Sequence, residues 1–184
     1  MASTFVEIAN RSLTFLGAEP ITSLTDDTKE ARACNRLIEQ TRDQLLRDHP
    51  WNFAIKRIQL SANTTAPVFE YTNAFDFADN TLRIIEVDTT EEWAVEGNQI
   101  VTDAAAPLDV VYIERVTDPT LFDAKFTEAL ALRLAADIAY DITASQTVAT
   151  RAEQKYMVLI KEARLIDGQE SLSANEQTWL EARA

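Results

Sequence analysis

The sequence predicts an α+β protein: a four-helix bundle with a small antiparallel β unit inserted between helices 2 and 3. Three observations lead there. Apolar residues recur at spacings of three and four in two blocks, residues 1–54 and 117–168, which is the period of an amphipathic helix. Between them, over residues 55–116, short alternating runs rich in Val, Ile and aromatic side chains take over, as strands require. After residue 168 the regular core pattern is lost, which sets residues 169–184 apart as a polar C-terminal tail.

Phe5, Ile8, Ala9, Ser12, Leu13 and Leu16 make the first helical face, with Ser3 or Thr4 as cap and Gly17 as stop. Pro20 keeps the short connection at residues 19–25 from continuing that helix. The second helix, within residues 24–54, organises the chain. Asp27 is its expected N-cap, with Glu30 three residues on to complete a capping box. Ala31, Cys34, Leu37, Ile38, Thr41 and Leu45 share one face. Arg32, Arg36, Glu39, Arg42, Asp43 and Arg47 occupy the rest of the surface in alternating sign. Pro50 lacks an N–H and drives His49 out of helical conformation, so the helix ends there. Trp51 and Phe53 then anchor the turn, with Trp51 expected in the core.

Residues 54–60 read as a short strand of mixed quality, followed by a polar turn at 61–67. Phe69, Tyr71, Phe75 and Phe77 alternate with Glu70, Thr72, Ala74 and Asp76, interrupted at Asn73. Residues 82–87 form a good strand. Residues 93–96 and 99–102 flank Gly97-Asn98 as a hairpin. Residues 108–116 are the clearest strand of all.

Helices return after Asp118-Pro119. Phe122, Phe126, Leu130, Leu134 and Ile138 line one face of helix 3, while Leu132, Ala135, Ala139 and Tyr140 occupy much of the others. A helix apolar nearly all round must be covered on several sides, and a neighbouring subunit is the expected cover. Its narrow polar row, Arg133, Asp137 and Asp141, has the spacing for mutual pairing. Thr143-Ala144-Ser145-Gln146 reads as a second capping box. It opens a last helix with Val148, Ala152, Tyr156, Leu159, Ala163 and Ile166 inward and Gly168 as its end. So short a connection makes the last two helices an antiparallel hairpin.

Composition narrows the function classes. The chain has 184 residues, 46% hydrophobic and 26% charged, enough for one domain with a real core or one core plus a subdomain. Its net charge is −13. The basic residues form no cluster longer than Lys56-Arg57, which argues against gripping a nucleic-acid backbone. Neither a basic region followed by an apolar run nor a stretch of about 18 apolar residues is present, so the expectation is no signal peptide and no membrane span. The single cysteine, Cys34, excludes an intrachain disulfide and reads as a small buried hydrophobe.

Catalytic patterns are equally sparse. The one histidine, His49, reads as a helix-end residue, and His/Cys metal clusters are excluded by count. Gly17, Gly97 and Gly168 lie too far apart for a phosphate-cradling loop. The densest acidic pairs, Asp26-Asp27 and Glu91-Glu92, read as a helix cap and a solvated loop. No catalytic residue, metal site or cofactor is expected, and the reading is not of an enzyme.

A series of short motifs in fixed order does carry information. They are Leu16-Gly17-Ala18-Glu19-Pro20-Ile21-Thr22-Ser23-Leu24, then Asp26-Asp27, Glu30-Ala31, Arg42-Asp43, Leu45-Leu46 and His49-Pro50-Trp51-Asn52-Phe53-Ala54. Asp118-Pro119 before Phe122 and Phe126, and the alanine- and leucine-rich residues 128–139, continue the series. In order and spacing it resembles the tail tubular protein A family, the head-to-tail adaptors of short-tailed bacteriophages, from about residue 5 to residue 167. One departure is Phe77-Ala78-Asp79, where family members tend to carry Leu-Pro-x-Asp.

The resemblance implies a virion structural protein of the neck and tail, assembled in the host cytoplasm. It would be a ring of twelve copies between the portal protein and the tail nozzle protein, lining the channel for double-stranded DNA. Twelve copies would carry on the order of −150 charges, screened over about 8 Å, so DNA would pass without sticking. The resemblance also directs attention to the tail. Leu172, Trp179 and Leu180 are its large apolar residues, and Trp is a frequent interface anchor. They are expected to bind a partner, with residues 171–184 ordering against the portal or an adjacent adaptor. Two rivals remain from the residues alone: a cytoplasmic acidic interaction module that binds a basic partner, and a carboxylate-dependent hydrolase.

Overall fold

The computed structural model describes residues 4–170. Its elements run α1 (Phe5–Leu16), α2 (Lys29–Asp48), β1 (Ile55–Leu60), β2 (Asn73–Asp76), β3 (Thr81–Val87), β4 (Trp93–Glu96), β5 (Gln99–Thr102), β6 (Leu108–Glu114), α3 (Ala124–Thr143) and α4 (Gln146–Glu170). Short 3₁₀ turns lie at Asn52–Ala54 and Pro119–Leu121. The chain is α+β, with every strand between helices 2 and 3. It divides into two compact units. Among the described residues, the helical unit holds 4–45, 51–53 and 116–170, and the β unit holds 46–50 and 54–115.

In the helical unit, α1 starts on a complete capping box. The Thr4 hydroxyl accepts from the Glu7 N–H, and the Glu7 carboxylate accepts from the Thr4 N–H. Gly17 ends the helix at φ 70°, where a side chain would be strained. Asn10 clamps the following connection by accepting from the Ile21 N–H at 2.7 Å and donating to the Ile21 carbonyl at 2.9 Å. The expected cap of α2 is displaced by one residue. Thr28, not Asp27, accepts from the Ala31 N–H at 3.1 Å, while Asp27 pairs with Arg32. A Thr hydroxyl is a competent N-cap, and the exposed Asp27 is left to balance an arginine.

Helix α3 is the centre of this unit. Phe126, Ala129, Leu130, Ala131, Leu132, Leu134, Ala135, Ile138 and Ala139 are all buried within one chain. A neighbouring subunit is therefore not needed to cover it, contrary to the expectation from its composition. Helices α1 and α4 pack closely on it, and the small Ser12 allows α1 near enough for its hydroxyl to lie 2.8 Å from the Ala131 carbonyl. Helix α2 is tied on by polar side chains: Thr41 donates to Asp137, and Arg36 meets Asp141 at 3.1 Å. Of the polar row, Arg133 pairs with Asp137, whereas Asp141 turns to α2. Burial pushes the Asp137 carboxyl above its usual range against the opposing pull of Arg133.

Trp51 is fully buried, as its position predicts, and its indole N–H donates to the Leu45 carbonyl at 2.9 Å. It meets Phe126 edge-on at 5.2 Å; Phe53 and Phe122 also meet that ring edge to face, as Phe5 meets Phe122. Asn52 is fixed to α4: its N–H donates to the Asp167 carboxylate at 3.1 Å and its amide to the Asp167 carbonyl at 2.8 Å. Three expectations need correction here. Arg42 is buried, not on the surface, between Asp43 at 2.8 Å and the Phe5 ring. The cap of α4 is Ser145, whose hydroxyl accepts from the Val148 N–H, since the Thr143 hydroxyl donates back to the Ala139 carbonyl. The helix also runs through Gly168 to Glu170, with Ile160 and Asp167 buried where Leu159 and Ile166 were expected.

The β unit contains two three-stranded antiparallel sheets, ordered β1-β6-β3 and β2-β5-β4. Leu60, Val87, Leu108 and Val110 from the first meet Phe75, Ile100 and Ala104 from the side of the second in one small core. Gly97 makes the β4–β5 turn at φ 60°. One expectation fails. Strand β2 begins at Asn73, so Asn73 starts the strand instead of interrupting it, and Phe69 and Tyr71 lie outside it. Trp93, in the β4–β5 hairpin, is 38% exposed.

Candidate interaction surfaces

Several of the groups able to do chemistry are engaged in the structure. Cys34 is fully buried, and burial together with Glu30 pushes its thiol up to about 11, which disfavours the reactive thiolate. Asp26 accepts from the Ser23 and Thr22 N–H groups and from the Thr22 hydroxyl, and these bonds hold its carboxyl below the usual range. Asp118 is held low in the same way by the Thr120 N–H and hydroxyl. Glu91 and Glu92 lie exposed in the loop before β4. His49 is half-buried at the end of α2. Among the described residues, no three of His, Cys, Asp and Glu converge as a metal-binding set. None of the helices described is long and apolar enough to cross a membrane.

Charge is unevenly laid out. Between residues 61 and 109 stand ten carboxylates and a single basic residue, Arg83. That base is itself engaged, donating to the Arg47 carbonyl at 3.1 Å. This part of the β unit is strongly acidic, with Arg57 of β1 set beside Glu86, Asp88 and Asp109 as a further base.

Within it stands an apolar tip. Val68 is 97% exposed and Phe69 77%, at the far point of the loop between β1 and β2. Both ends of the loop are tied down. The Asn63 N–H donates to the Ala74 carbonyl at 2.8 Å, and the Thr72 N–H and hydroxyl both donate to Asp103. Next to the tip, the Tyr71 N–H reaches the Phe69 carbonyl at 2.9 Å around Glu70, whose φ is 73°. A three-residue turn at positive φ is strained for any residue but glycine. The loop thus holds a hydrophobic pair outward at some cost in backbone energy. A cavity of about 600 Å³ opens beside it, lined by Asn63, Pro67, Phe69, Asp76, Glu96 and Gln99 among others.

A second surface lies on the helical unit. Phe15 of α1, Leu132 of α3 and Val158 and Leu159 of α4 line a shallow groove of about 490 Å³. Val158 is 71% exposed. The two carboxylates at its edge are already paired, Glu128 with Arg11 at 3.0 Å and Glu162 with Lys125 at 2.9 Å. Arg151 and Lys155 also line it, and Lys155 lies 5.4 Å over the Phe15 ring. Neither of these cations has a carboxylate partner among the described residues, so the groove is apolar with a net positive rim.

The partner-binding residues expected from the sequence, Leu172, Trp179 and Leu180, lie outside the described residues. Neither the loop tip nor the groove was singled out by sequence reasoning. For the tip the available signal was Pro67-Val68-Phe69, an apolar group just after a polar turn. For the groove there was none, because Val158 sits one position off the apolar phase of α4. Compared with known proteins, the sequence matches no family model and no curated protein.

Proposed function

We propose that this chain is a head-to-tail adaptor: a ring subunit that sits between the portal and the tail nozzle of a short-tailed phage and lines the DNA channel. The observation that carries this reading is the ordered series of motifs from Leu16 to Phe126, which resembles the tail tubular protein A family. What those residues do in the fold supports a role of shape over one of catalysis. Gly17 stops a helix, Asp26 ties a turn, and Trp51, Phe53, Phe122 and Phe126 form one aromatic cluster. The mechanism is geometric and electrostatic. A ring of acidic subunits holds a channel open, and like charge keeps its wall unattractive to DNA.

The ring is tested by mixing purified protein with portal-bearing heads and imaging the necks by cryo-electron microscopy. Twelve copies in a closed ring below the portal, around a net negative lumen, are expected. Lone copies on the portal, or a lumen lined by arginine, would overturn the proposal. The acidic concentration between residues 61 and 109 favours one second reading, an interaction module for a basic partner. That reading expects a discrete complex of fixed low stoichiometry and no binding to heads.

A further inference from the structure

The two surfaces above complement each other. The tip offers an apolar pair inside an acidic collar: burial and the nearby Glu70, Glu92, Glu96 and Asp103 carboxylates push the Tyr71 phenol up, which locates that negative field at the base of the tip. The groove offers an apolar floor with Arg151 and Lys155 lacking acidic partners among the described residues. A self-complementary contact of tip on tip would bring two acidic collars together and is disfavoured. A contact of tip on groove buries apolar surface on both sides and brings opposite charges together.

We propose that the Val68–Phe69 tip of one copy docks in the Phe15–Leu132–Val158 groove of the next. Such a contact uses different patches on its two sides, and a contact of that kind closes into a ring when its rotation permits. The inference rests on the ring reading above and supplies its subunit contact. Phe69 is the anchor, Val158 and Phe15 receive it, and Arg151 and Lys155 face Glu70 and Glu96.

The test uses the full chain with Cys34 left in place, since it is buried. Phe69→Cys chains are mixed with Val158→Cys chains carrying a different tag and oxidised with diamide. A disulfide between the two chains is expected to form about tenfold faster than between Phe69→Cys and exposed Leu121→Cys chains, as for a preformed site. In parallel, Phe69→Asp and Val158→Asp are each assembled with portal-bearing heads and sized by ultracentrifugation. Each alone is expected to weaken self-association by about tenfold or more, the effect of losing an interface anchor. Mixed, the two variants should give dimers and nothing larger, because one intact tip and one intact groove survive per pair.

Rings that persist with Phe69→Asp overturn this contact and leave the ring reading standing. Cross-linking without any ring on heads keeps the contact and overturns the ring. A Val158→Cys side chain that reacts instead with Leu180→Cys of its own chain assigns the groove to the C-terminal segment and overturns the inference.

Discussion

The helical unit and the β unit solve the problem of holding a fold in different ways. The helical unit builds around α3, a helix buried on nearly every side, and fixes its joints with one aromatic cluster and a few buried polar bonds. The β unit has a core of about ten side chains and relies on side-chain bonds to close its loops, such as Asn98 to the Phe77 carbonyl and Asn73 to the Ala104 carbonyl. It spends its exposed surface on charge and on an outward apolar tip. The helical unit is thus a scaffold whose energy lies in packing, and the β unit is a display whose loops are pinned. Mutations should separate the two.

The largest effect is expected at the aromatic joint. Trp51→Ala should destabilise the helical unit by about 3–5 kcal/mol, as truncation of a large buried aromatic does. Urea unfolding followed by far-UV circular dichroism measures it. An unchanged midpoint would mean that the cluster repacks and that the helical unit does not depend on this joint.

The next is the bond between the Pro-Trp turn and α4. Asp167→Ala removes the carboxylate that accepts from the part-buried Asn52 N–H and should cost about 1–3 kcal/mol. Amide exchange should quicken at Asn52 while β6 keeps its protection. Equal loss of protection in both would erase the distinction between the units.

In the β unit the sign reverses. Glu70→Gly relieves the positive φ beside the tip and should raise stability by about 1 kcal/mol. Thermal unfolding reads this directly, and a lower melting temperature would show that the Glu70 side chain supports the loop.

The smallest effect is a dependence on pH. Asp26 has a folded-state carboxyl below the ordinary range because Ser23 and Thr22 donate to it. Its contribution is therefore present above the unfolded value, about 3.9, and fades as pH falls through the lower folded value. Asp26→Asn should be less stable than the wild type near neutrality and converge with it in acid. Curves that run parallel down to strong acid would count against this.

Much of the fold was legible because it rests on local rules. The His49-Pro50 stop, the Gly97 turn and the Thr4 cap follow from backbone chemistry within a few residues, and Trp51 was legible from its place at the helix end. What escaped was decided by side-chain partners, near or distant in sequence, that type and pattern do not reveal. Arg42 is inside because Phe5 and Asp43 receive it, although its type and its place in a row of alternating charges marked it as surface. Phe69 and Phe75 have equal standing in an alternating pattern, yet one is exposed and the other buried, since only Phe75 lies opposite Ile100. Thr28 and Asp27 were both competent caps, and an arginine one turn away drew off the aspartate. The interaction surfaces were the least legible part. A groove made by three helices has no linear signature, and the tail residues chosen for partner binding lie outside the described residues.

The placement of α3 also bears on the order in which the molecule can form during synthesis. Ser12 reaches a carbonyl 119 residues further along the chain, so α1 lacks its main packing partner until α3 has left the ribosome. The β unit, by contrast, finds almost all its own contacts before residue 115. Chains emerge at roughly 5–20 residues per second, which leaves the apolar face of α1 waiting for several seconds while the strands pair ahead of it. The insertion therefore folds before the body that hosts it, and Ile8, Leu13 and Leu16 are the residues a nascent-chain chaperone would meet first.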